Sequence, residues 1–209
     1  MKDRMRRITA ATATGAAALA LTAGPAFAAT CEDKFGEGSP ACEGNSYSPI
    51  YGTAAPDYLT GTAGPDTIYG LGSGDTIHGG SGGDSLYGGL GWDYVVGGYG
   101  DDALYGYWGN DRLDGGAGDD HVFGGPGNDR ADGGSGDDAV YGGYGNDAVY
   151  GYKGSDRLFG GPGDDLLYAA GDDTEDTYIS GGPGYDVAII GPEDRGNVAA
   201  DVEEVHVVR

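Results

Sequence analysis

The chain is poor in positive charge, in histidine and cysteine, and in long apolar segments. Its 209 residues include 11 Lys and Arg against 34 Asp and Glu, which gives a formal net charge of −23. Because such a chain repels the phosphates of nucleic acids and anionic membrane surfaces, neither is expected as a partner. Its expected partners are cations, above all hard cations that prefer oxygen ligands.

Catalytic signatures are equally scarce. The three histidines are scattered at His78, His121 and His206, and no serine lies in a G-x-S-x-G elbow. We therefore predict that the protein is not an enzyme. A hydrolase or lyase built on aspartates is kept as a third hypothesis, behind the two set out below.

Residues 1–28 are typical of a secretory leader. A basic start, Lys2 to Arg7, precedes a weakly apolar run, Ile8 to Leu21, and Ala26-Phe27-Ala28 matches an A-x-A cleavage site. The apolar run is too short and too poor in large side chains to span a bilayer, so no membrane span is expected. We predict an exported, extracellular protein, and Arg6-Arg7 leaves both the general secretory and the twin-arginine routes open.

The two cysteines, Cys31 and Cys42, lie close together in the segment after the leader. In an exported protein such a pair is expected to form a disulfide. The alternative, free or metal-binding thiols, lacks an accompanying histidine in that segment. Residues 29–51 are therefore predicted to be a small disulfide-stapled head.

One nine-residue unit occupies most of the chain and is repeated 13 times without insertion from Gly52 to Tyr168. A typical copy, residues 133–141, reads GGSGDDAVY. Position 1 is Gly and position 6 is Asp in all 13 copies, position 8 is apolar in all 13, and position 4 is Gly in 11. Four fixed phases over so many copies indicate a repeat architecture.

Each unit divides into a turn and a strand. Positions 1–6 hold the glycines, the prolines and the Asp, which are turn residues, and positions 7–9 predict a three-residue strand. Alternation along the strand sends position 8 to one face and positions 7 and 9 to the other. The predicted interior therefore consists of the position 8 side chains: Leu59, Ile68, Ile77, Leu86, Val95, Leu104, Leu113, Val122, Ala131, Val140, Val149, Leu158 and Leu167.

Turn and strand in alternation predict an all-β solenoid. Two units per coil would place the strands in two facing parallel sheets, with residues 18 apart stacked at roughly 4.8 Å. The 13 units would then form six and a half coils, about 30 Å long by the same spacing.

This stacking gathers the position 6 aspartates into two columns. Carboxylates about 5 Å apart repel by roughly 3 kcal/mol at an effective dielectric near 20, so a cation is required between them. One column holds Asp57, Asp75, Asp93, Asp111, Asp129, Asp147 and Asp165; the other holds Asp66, Asp84, Asp102, Asp120, Asp138 and Asp156. After an insertion, a last unit at residues 181–189 adds Asp186.

A cation between two turns would receive carboxylates from units n and n+2 and backbone carbonyls from the glycine-rich loops. Six or more oxygens without His or Cys predict Ca²⁺ rather than zinc or copper, and magnesium, which keeps its waters, is the weaker candidate. The columns of seven and six aspartates in the contiguous array leave at most 11 gaps. The irregular turns with Ala55 and Ser73 reduce the expected number of calcium ions to about eight.

The unit resembles G-G-x-G-x-D-x-U-x, the nonapeptide of the RTX (repeats-in-toxin, hemolysin-type) calcium-binding proteins. The resemblance covers residues 52–168 and 181–189. It implies a right-handed parallel β-roll that folds only with calcium, with the position 6 Asp as carboxylate ligand. Position 5 also resembles the Asn or Asp usual in the family, at Asp101, Asn110, Asp119, Asn128, Asp137, Asn146 and Asp164.

The outer faces of the two predicted sheets differ. Position 9 carries an aromatic in every even-numbered unit: Tyr69, Tyr87, Tyr105, Phe123, Tyr141 and Phe159. This row is either a ladder that favours strands or a binding face for a glycan or cell-wall component. On the other sheet Arg112, Arg130, Asp114 and Asp132 are predicted to form a solvated charge pattern.

The repeat ends in two irregular segments. Residues 169–180 are very acidic and three residues longer than a unit, which is typical of a solvated loop or of a bulged turn with a further cation. Residues 190–209 are predicted to cap the open edge, with Val198 to Val208 as closing strands.

Two function classes follow. The first is a secreted calcium-binding β-roll that folds on binding several Ca²⁺ ions between stacked GGxGxD turns. The alternative is an extracellular adhesion or glycan-binding protein that uses the Tyr/Phe ladder on an extracellular polysaccharide or cell-wall component, with calcium only structural.

Overall fold

The computed structural model describes residues 49–170 and 176–208, which form a solenoid of two parallel β-sheets. Within these residues the strands are β1 (Ile50–Tyr51), β2 (Tyr58–Thr60), β3 (Thr67–Gly72), β4 (Thr76–Ser81), β5 (Ser85–Leu90), β6 (Tyr94–Tyr99), β7 (Ala103–Trp108), β8 (Arg112–Ala117), β9 (His121–Pro126), β10 (Arg130–Ser135), β11 (Ala139–Tyr144), β12 (Ala148–Lys153), β13 (Arg157–Phe159), β14 (Leu166–Ala169), β15 (Tyr178–Ser180), β16 (Val187–Ile190) and β17 (Glu204–Val207).

Successive strands alternate between the two sheets. Sheet 1 has the order β1-β3-β5-β7-β9-β11-β13-β15, and sheet 2 has the order β17-β16-β14-β12-β10-β8-β6-β4-β2. Every described pair is parallel, and in the regular part partners such as Leu86 and Leu104 are 18 residues apart. The predicted all-β parallel β-roll with two units per coil is confirmed.

The ten strands from β3 to β12 have six residues each, twice the length that the sequence predicted. β5, for example, joins positions 7–9 of one unit to positions 1–3 of the next, so only positions 4–6 form the turn. The prediction of a six-residue turn is therefore wrong, because the glycines continue the strand pairing. Gly89 pairs with Tyr107 just as Tyr87 pairs with Tyr105. A proline at position 3, such as Pro126, stands at the last residue of its strand.

The interior is the thin layer expected from position 8. All 13 predicted side chains are buried, and Ile179, Ala188 and Ile190 extend the same cluster past the insertion. In strands such as β5 and β6 the buried residues are positions 8 and 1, so a glycine alternates with each apolar side chain in the wall of the core.

The glycines serve two different purposes. At position 1 they give room: a Cβ on Gly106 would lie 2.5 Å from Asp111 Oδ2 and 2.5 Å from the Gly124 carbonyl oxygen. At positions 2 and 4 they supply positive φ, as at Gly80 (116°) and Gly82 (108°), a region that side chains rarely adopt. Turn chemistry thus explains the position 4 glycines but not those of position 1.

The C-terminal segment covers the last coil. A 3₁₀-helix (Glu193–Gly196) is followed by β17, which pairs with β16, while Val198 forms a single bridge to Ile179. The cap is thus one strand and a bridge, rather than the closing strands expected from Val198 to Val208. At the other end, Ile50–Tyr51 of the predicted head form β1 beside β3.

Several sequence predictions lie outside the described residues. They are the leader at residues 1–28, the Cys31–Cys42 disulfide and the acidic tip of the insertion at residues 171–175. Across residues 49–170 and 176–208, no helix is long and apolar enough to cross a membrane.

Candidate metal centre

The position 6 aspartates line the two edges where the sheets meet, as two continuous columns. In each, the Oδ1 atom of one Asp accepts a hydrogen bond from the backbone N–H of the Asp one coil earlier. The N–H of Asp102 donates to Asp120 (2.8 Å), and the N–H of Asp111 donates to Asp129 (2.7 Å). All fourteen predicted aspartates take part, from Asp57 and Asp66 at the partly buried start to Asp186.

The second carboxylate oxygen has no such partner in eleven of these aspartates. Among the described residues, the following Oδ2 atoms are buried and accept no hydrogen bond: those of Asp75, Asp84, Asp93, Asp102, Asp111, Asp120, Asp129, Asp138, Asp147, Asp165 and Asp186. Buried charged oxygens without partners are costly, so a row of them requires either protons or cations.

Burial raises the pKa of these carboxyl groups strongly. It lifts the pKa of Asp120 from 3.8 to about 7 and that of Asp138 to about 8, against the opposing effect of the backbone N–H bond, and neighbouring carboxylates add to the rise. In the other column the pKa of Asp111 and that of Asp147 rise to about 6 for the same first reason. The columns therefore resist carrying full negative charge by themselves.

Backbone oxygens complete the donor set of each turn. In the turns between Gly82 and Asp147, stacked turns are joined by bonds to the carbonyls of positions 3 and 6, as in Gly100 N–H to Ala117 and His121 N–H to Asp102. Within this described stretch, the carbonyls of positions 4 and 5 accept no backbone hydrogen bond. They remain as neutral oxygens beside the carboxylates.

This donor set suits a hard divalent cation. One carboxylate per turn with carbonyl oxygens, and neither His nor Cys, is the ligand chemistry of Ca²⁺. Within residues 49–170 and 176–208, no three His, Cys, Asp or Glu side chains gather as a compact metal cluster. That agrees with columns in which each coil contributes one carboxylate.

The structure adds three acidic residues that the sequence search missed. The N–H of Asp156 donates to Asp176 (2.9 Å), and the N–H of Asp176 donates to Asp194 (2.8 Å), which extends one column. In the other column the N–H of Asp186 donates to Glu203 Oε2 (2.8 Å).

Each of the three was hidden by a change in spacing or residue type. Asp176 escaped because Thr177 is an extra residue before β15, so the N–H groups of Thr177 and Tyr178 both donate to the carbonyl of Asp156. Asp194 follows Asp176 by one 18-residue coil. Glu203 precedes Glu204-Val205 at the usual spacing, but as Glu rather than Asp.

Position 5 makes the two edges chemically unequal. On one edge the N–H of Asp119 donates to Asp101 (3.0 Å) and that of Asp137 to Asp119 (2.9 Å). On the other, the N–H of Asn128 donates to Asn110 (2.8 Å) and that of Asn146 to Asn128 (2.9 Å). The backbone geometry matches, but the first edge carries a second carboxylate in the turns of Asp101, Asp119 and Asp137, and Asp119 raises the pKa of both Asp120 and Asp138.

The aromatic row of sheet 1 is a continuous stack. Neighbouring rings from Tyr51 to Phe159 lie 4.7–5.1 Å apart between centroids with interplanar angles of 3–10°. Their faces are therefore occupied by one another and their edges face outward. The predicted ladder is confirmed as a structural feature.

The charged residues of sheet 2 are less solvated than predicted. Arg130 forms an ion pair with Asp132 (2.9 Å), whose side chain is only 6% exposed, and the guanidinium carbon lies 3.9 Å from the centroid of the Tyr150 ring. Arg112 lies 5.5 Å from the centroid of Tyr94. For Arg130 and Asp132 the solvated pattern is wrong, because the aromatic ring and the ion pair cover them.

Sequence comparison agrees with this geometry. The family model described as the RTX calcium-binding nonapeptide repeat (4 copies) matches residues 51–86, 87–122, 114–149, 123–158, 141–175 and 150–188. These matches span residues 51–188, more than half of the 209-residue chain. A search of the curated proteins found no match.

Proposed function

Because the chain belongs to the family of RTX calcium-binding nonapeptide-repeat proteins, we propose that it is a secreted β-roll whose folding is driven by calcium. The observation that carries the proposal is the double column of buried Oδ2 atoms without hydrogen-bond partners. A polypeptide gains nothing by burying such oxygens, unless a cation bound to the folded state compensates for their desolvation.

The proposed carboxylate ligands are the fourteen aspartates predicted from the sequence, extended by Asp176, Asp194 and Glu203. When bound, calcium would supply the positive charge that offsets repulsion along each column. In the eleven aspartates with an unpartnered Oδ2, the chain holds the carboxylate in place through the bond from the preceding Asp N–H to Oδ1, so Oδ2 is the atom left to meet a cation. The position 1 glycine leaves the space that this Oδ2 occupies.

Folding and calcium binding are then a single equilibrium. The interior is one side chain deep, so the coils gain little from apolar burial, while the carboxylates of adjacent coils oppose stacking at neutral pH. A ligand that binds only the folded state stabilises it in proportion to RT ln(1 + [L]/Kd), and several sites add their contributions. The expected behaviour is an unfolded chain where calcium is scarce and a folded one outside the cell.

The test is circular dichroism of the full chain, first stripped of calcium and then titrated with it at neutral pH. We expect a cooperative gain of β signal with calcium, a much weaker response to equal magnesium, and reversal by a chelator. A variant with Asp102, Asp120 and Asp138 changed to Asn should need more calcium. A chain that stays folded in chelator at neutral pH would refute the proposal.

Export is a separate part of the proposal and rests on residues 1–28. Expression of the full chain against a variant that lacks residues 2–28 should place only the former in the medium, by immunoblot of cells and supernatant. Equal secretion of the full chain and the shortened variant would contradict the prediction that residues 1–28 are a secretory leader.

The alternative function, adhesion or glycan binding by the Tyr/Phe ladder, is favoured by one observation. Sheet 1 leaves large side chains outside its stack, among them Tyr107, Trp108 and Tyr144, which are 48%, 63% and 67% exposed. The test is a pull-down on polysaccharide or cell-wall material, with wild type against Tyr87, Tyr105 and Tyr141 changed to Ser. Equal retention of both proteins would exclude the ladder, and no catalysis is proposed in either case.

A further inference from the structure

Sheet 1 carries a small cavity of about 160 Å³ that spans three neighbouring coils. Its floor is Gly88 and Gly89 of β5, and Leu71 of β3 and Tyr107 of β7 stand on either side, in register with Gly89. Two strand spacings of roughly 4.8 Å separate the backbones of the two walls, which leaves room for one flat group between their side chains. Tyr69 and Tyr87 complete the lining.

Both walls stand on unfavourable backbone. Leu71 has φ 82° and Tyr107 has φ 73°, whereas the same position in the following coils of sheet 1 is glycine, at Gly125, Gly143 and Gly161. Side chains held at positive φ reduce stability, and such outliers cluster at binding sites. Leu71 and Tyr107, the two non-glycine residues of this column with positive φ, therefore coincide with the walls of the cavity.

Sheet 2 shows what a similar pair of tyrosines binds. There Tyr150-Gly151-Tyr152 repeats the arrangement of Tyr105-Gly106-Tyr107, and Tyr152 also has a positive φ, of 75°. Arg130 of the preceding strand places its guanidinium 3.9 Å from the Tyr150 centroid and donates to the Tyr152 hydroxyl (3.0 Å). The space beside the two tyrosines of sheet 2 is thus occupied by the guanidinium of Arg130, a cation from the chain itself.

The pair on sheet 1 has no such internal cation in the preceding strand. Ser85 stands at the position of Arg130, since Ser85 pairs with Ala103 as Arg130 pairs with Ala148. Tyr87 stands at the position of Asp132 and stacks on Tyr105 at 5.0 Å. The Tyr107 ring lies 6.3 Å from Tyr87 and 6.2 Å from Tyr105 between centroids, and it is still 48% exposed. A ligand at this site would meet Tyr107 and the edges of the stack.

We propose that this cavity binds the guanidinium group of an arginine carried by a basic partner polypeptide. A guanidinium is flat, weakly hydrated and able to stack on tyrosine, which fits a gap one flat group wide. The net charge of −23 stays negative even when about eight Ca²⁺ ions, +16 in all, are bound, so the long-range field still attracts cationic partners and repels anionic ones. A neutral sugar ring would gain nothing from that field.

The test uses the full chain in saturating calcium, with N-acetyl-arginine amide as the probe and its uncharged analogue N-acetyl-citrulline amide as the control. Binding is followed by chemical-shift changes of the tyrosine rings. We expect the arginine probe to bind and the citrulline probe to bind at least about threefold more weakly. Equal binding of the two probes would overturn the proposal.

The variant Tyr107→Gly should weaken arginine binding by about fivefold or more. Because glycine suits the positive φ, this variant should fold at least as well as wild type, which circular dichroism checks. Tyr152→Gly, the matched change on sheet 2, should leave probe binding unchanged, and Tyr107→Leu should behave as Tyr107→Gly because it lacks the ring.

Two results would contradict the site. Arginine binding that survives Tyr107→Gly would show attraction to the acidic surface at large. A neutral disaccharide that shifts the Tyr107 ring when the arginine probe does not would make the cavity a sugar site instead.

Discussion

Replacing a central position 1 glycine by alanine is the most direct test of how the columns are built. We expect Gly115→Ala to destabilise the calcium-loaded protein strongly. A Cβ at residue 115 would lie 2.5 Å from Asp120 Oδ2 and 2.5 Å from the Gly133 carbonyl oxygen. The Gly133 oxygen is a backbone atom, and the Asp120 side chain is buried and held at Oδ1 by the Asp102 N–H.

The magnitude follows from the size of these overlaps. Ordinary contacts of a Cβ are about 3.4 Å or longer, so each neighbour would have to move by nearly an ångström. Overpacking of this kind costs about 1–3 kcal/mol for one added methyl group, and two rigid contacts place Gly115→Ala near the upper limit. In a domain of this size, about 3 kcal/mol lowers Tm by roughly 6–12 °C.

The control is Gly64→Ala, in a turn where a Cβ would have no neighbour within 4 Å. It should be neutral or slightly stabilising, because alanine restricts the unfolded chain. Both variants are unfolded by heat and by urea at the same saturating calcium. If Gly115→Ala lost no more stability than Gly64→Ala, position 1 would not be a packing site and the placement of Oδ2 would be wrong.

Three further predictions concern charge and strain. Without calcium, the pKa values of the column aspartates are about 6–8 in the folded chain and 3.8 in the unfolded chain. Folding is therefore favoured below about pH 4, and this stability is lost as the pH rises through 6–8. Circular dichroism of the calcium-stripped chain should show structure on acidification. Asp119→Asn should weaken calcium binding about two- to fivefold by calorimetry, and Asn128→Asp should strengthen it, since each changes the exposed charge beside a column by one unit. If both variants bound calcium with the same affinity, the charge at position 5 would be irrelevant. Tyr152→Gly should relieve the positive φ but lose the Arg130 contact, so its free energy of unfolding should change by less than about 1 kcal/mol in urea, and a loss of several would show that this contact outweighs the strain.

Periodicity alone predicted the two-sheet solenoid, its coil of two units and its interior, and the family resemblance added the β-roll. An 18-residue spacing brings Leu86 and Leu104 into register whether or not strand length is known, and the same spacing stacks the aspartates. Strand length was mispredicted because glycine has low strand propensity, so positions 1 and 2 looked like turn. In the fold those residues are strand because a carboxylate occupies the space beside position 1, a tertiary fact that no local preference carries.

The parts of the site that escaped prediction are those where the period breaks. Thr177 shifts Asp176 by one residue relative to β15, and Glu203 replaces Asp at the end of its column. The contacts of Arg130 were also missed: its ion pair with Asp132 lies along one strand, and its contact with Tyr150 runs diagonally to the next strand. A fixed spacing identifies the residues that repeat, but it does not identify the residues that end a column or the contacts that depart from the register.

The hydrogen bonds along the columns have a direction, and the direction gives the C-terminal residues their importance. Each Asp N–H donates to the carboxylate of the following coil, so every coil depends on the one after it for the acceptor of its buried N–H. At the end of the array Glu203 accepts from Asp186, and Asp194 accepts from Asp176. At the start, Asp57 and Asp66 accept instead from Thr53 and Thr62 of their own units. In the first coils the carboxylates are therefore bonded within their own units, whereas in the last coils the non-repeating segment supplies the acceptors. Since an unsatisfied buried N–H is costly, that segment is part of the column rather than a cover over it.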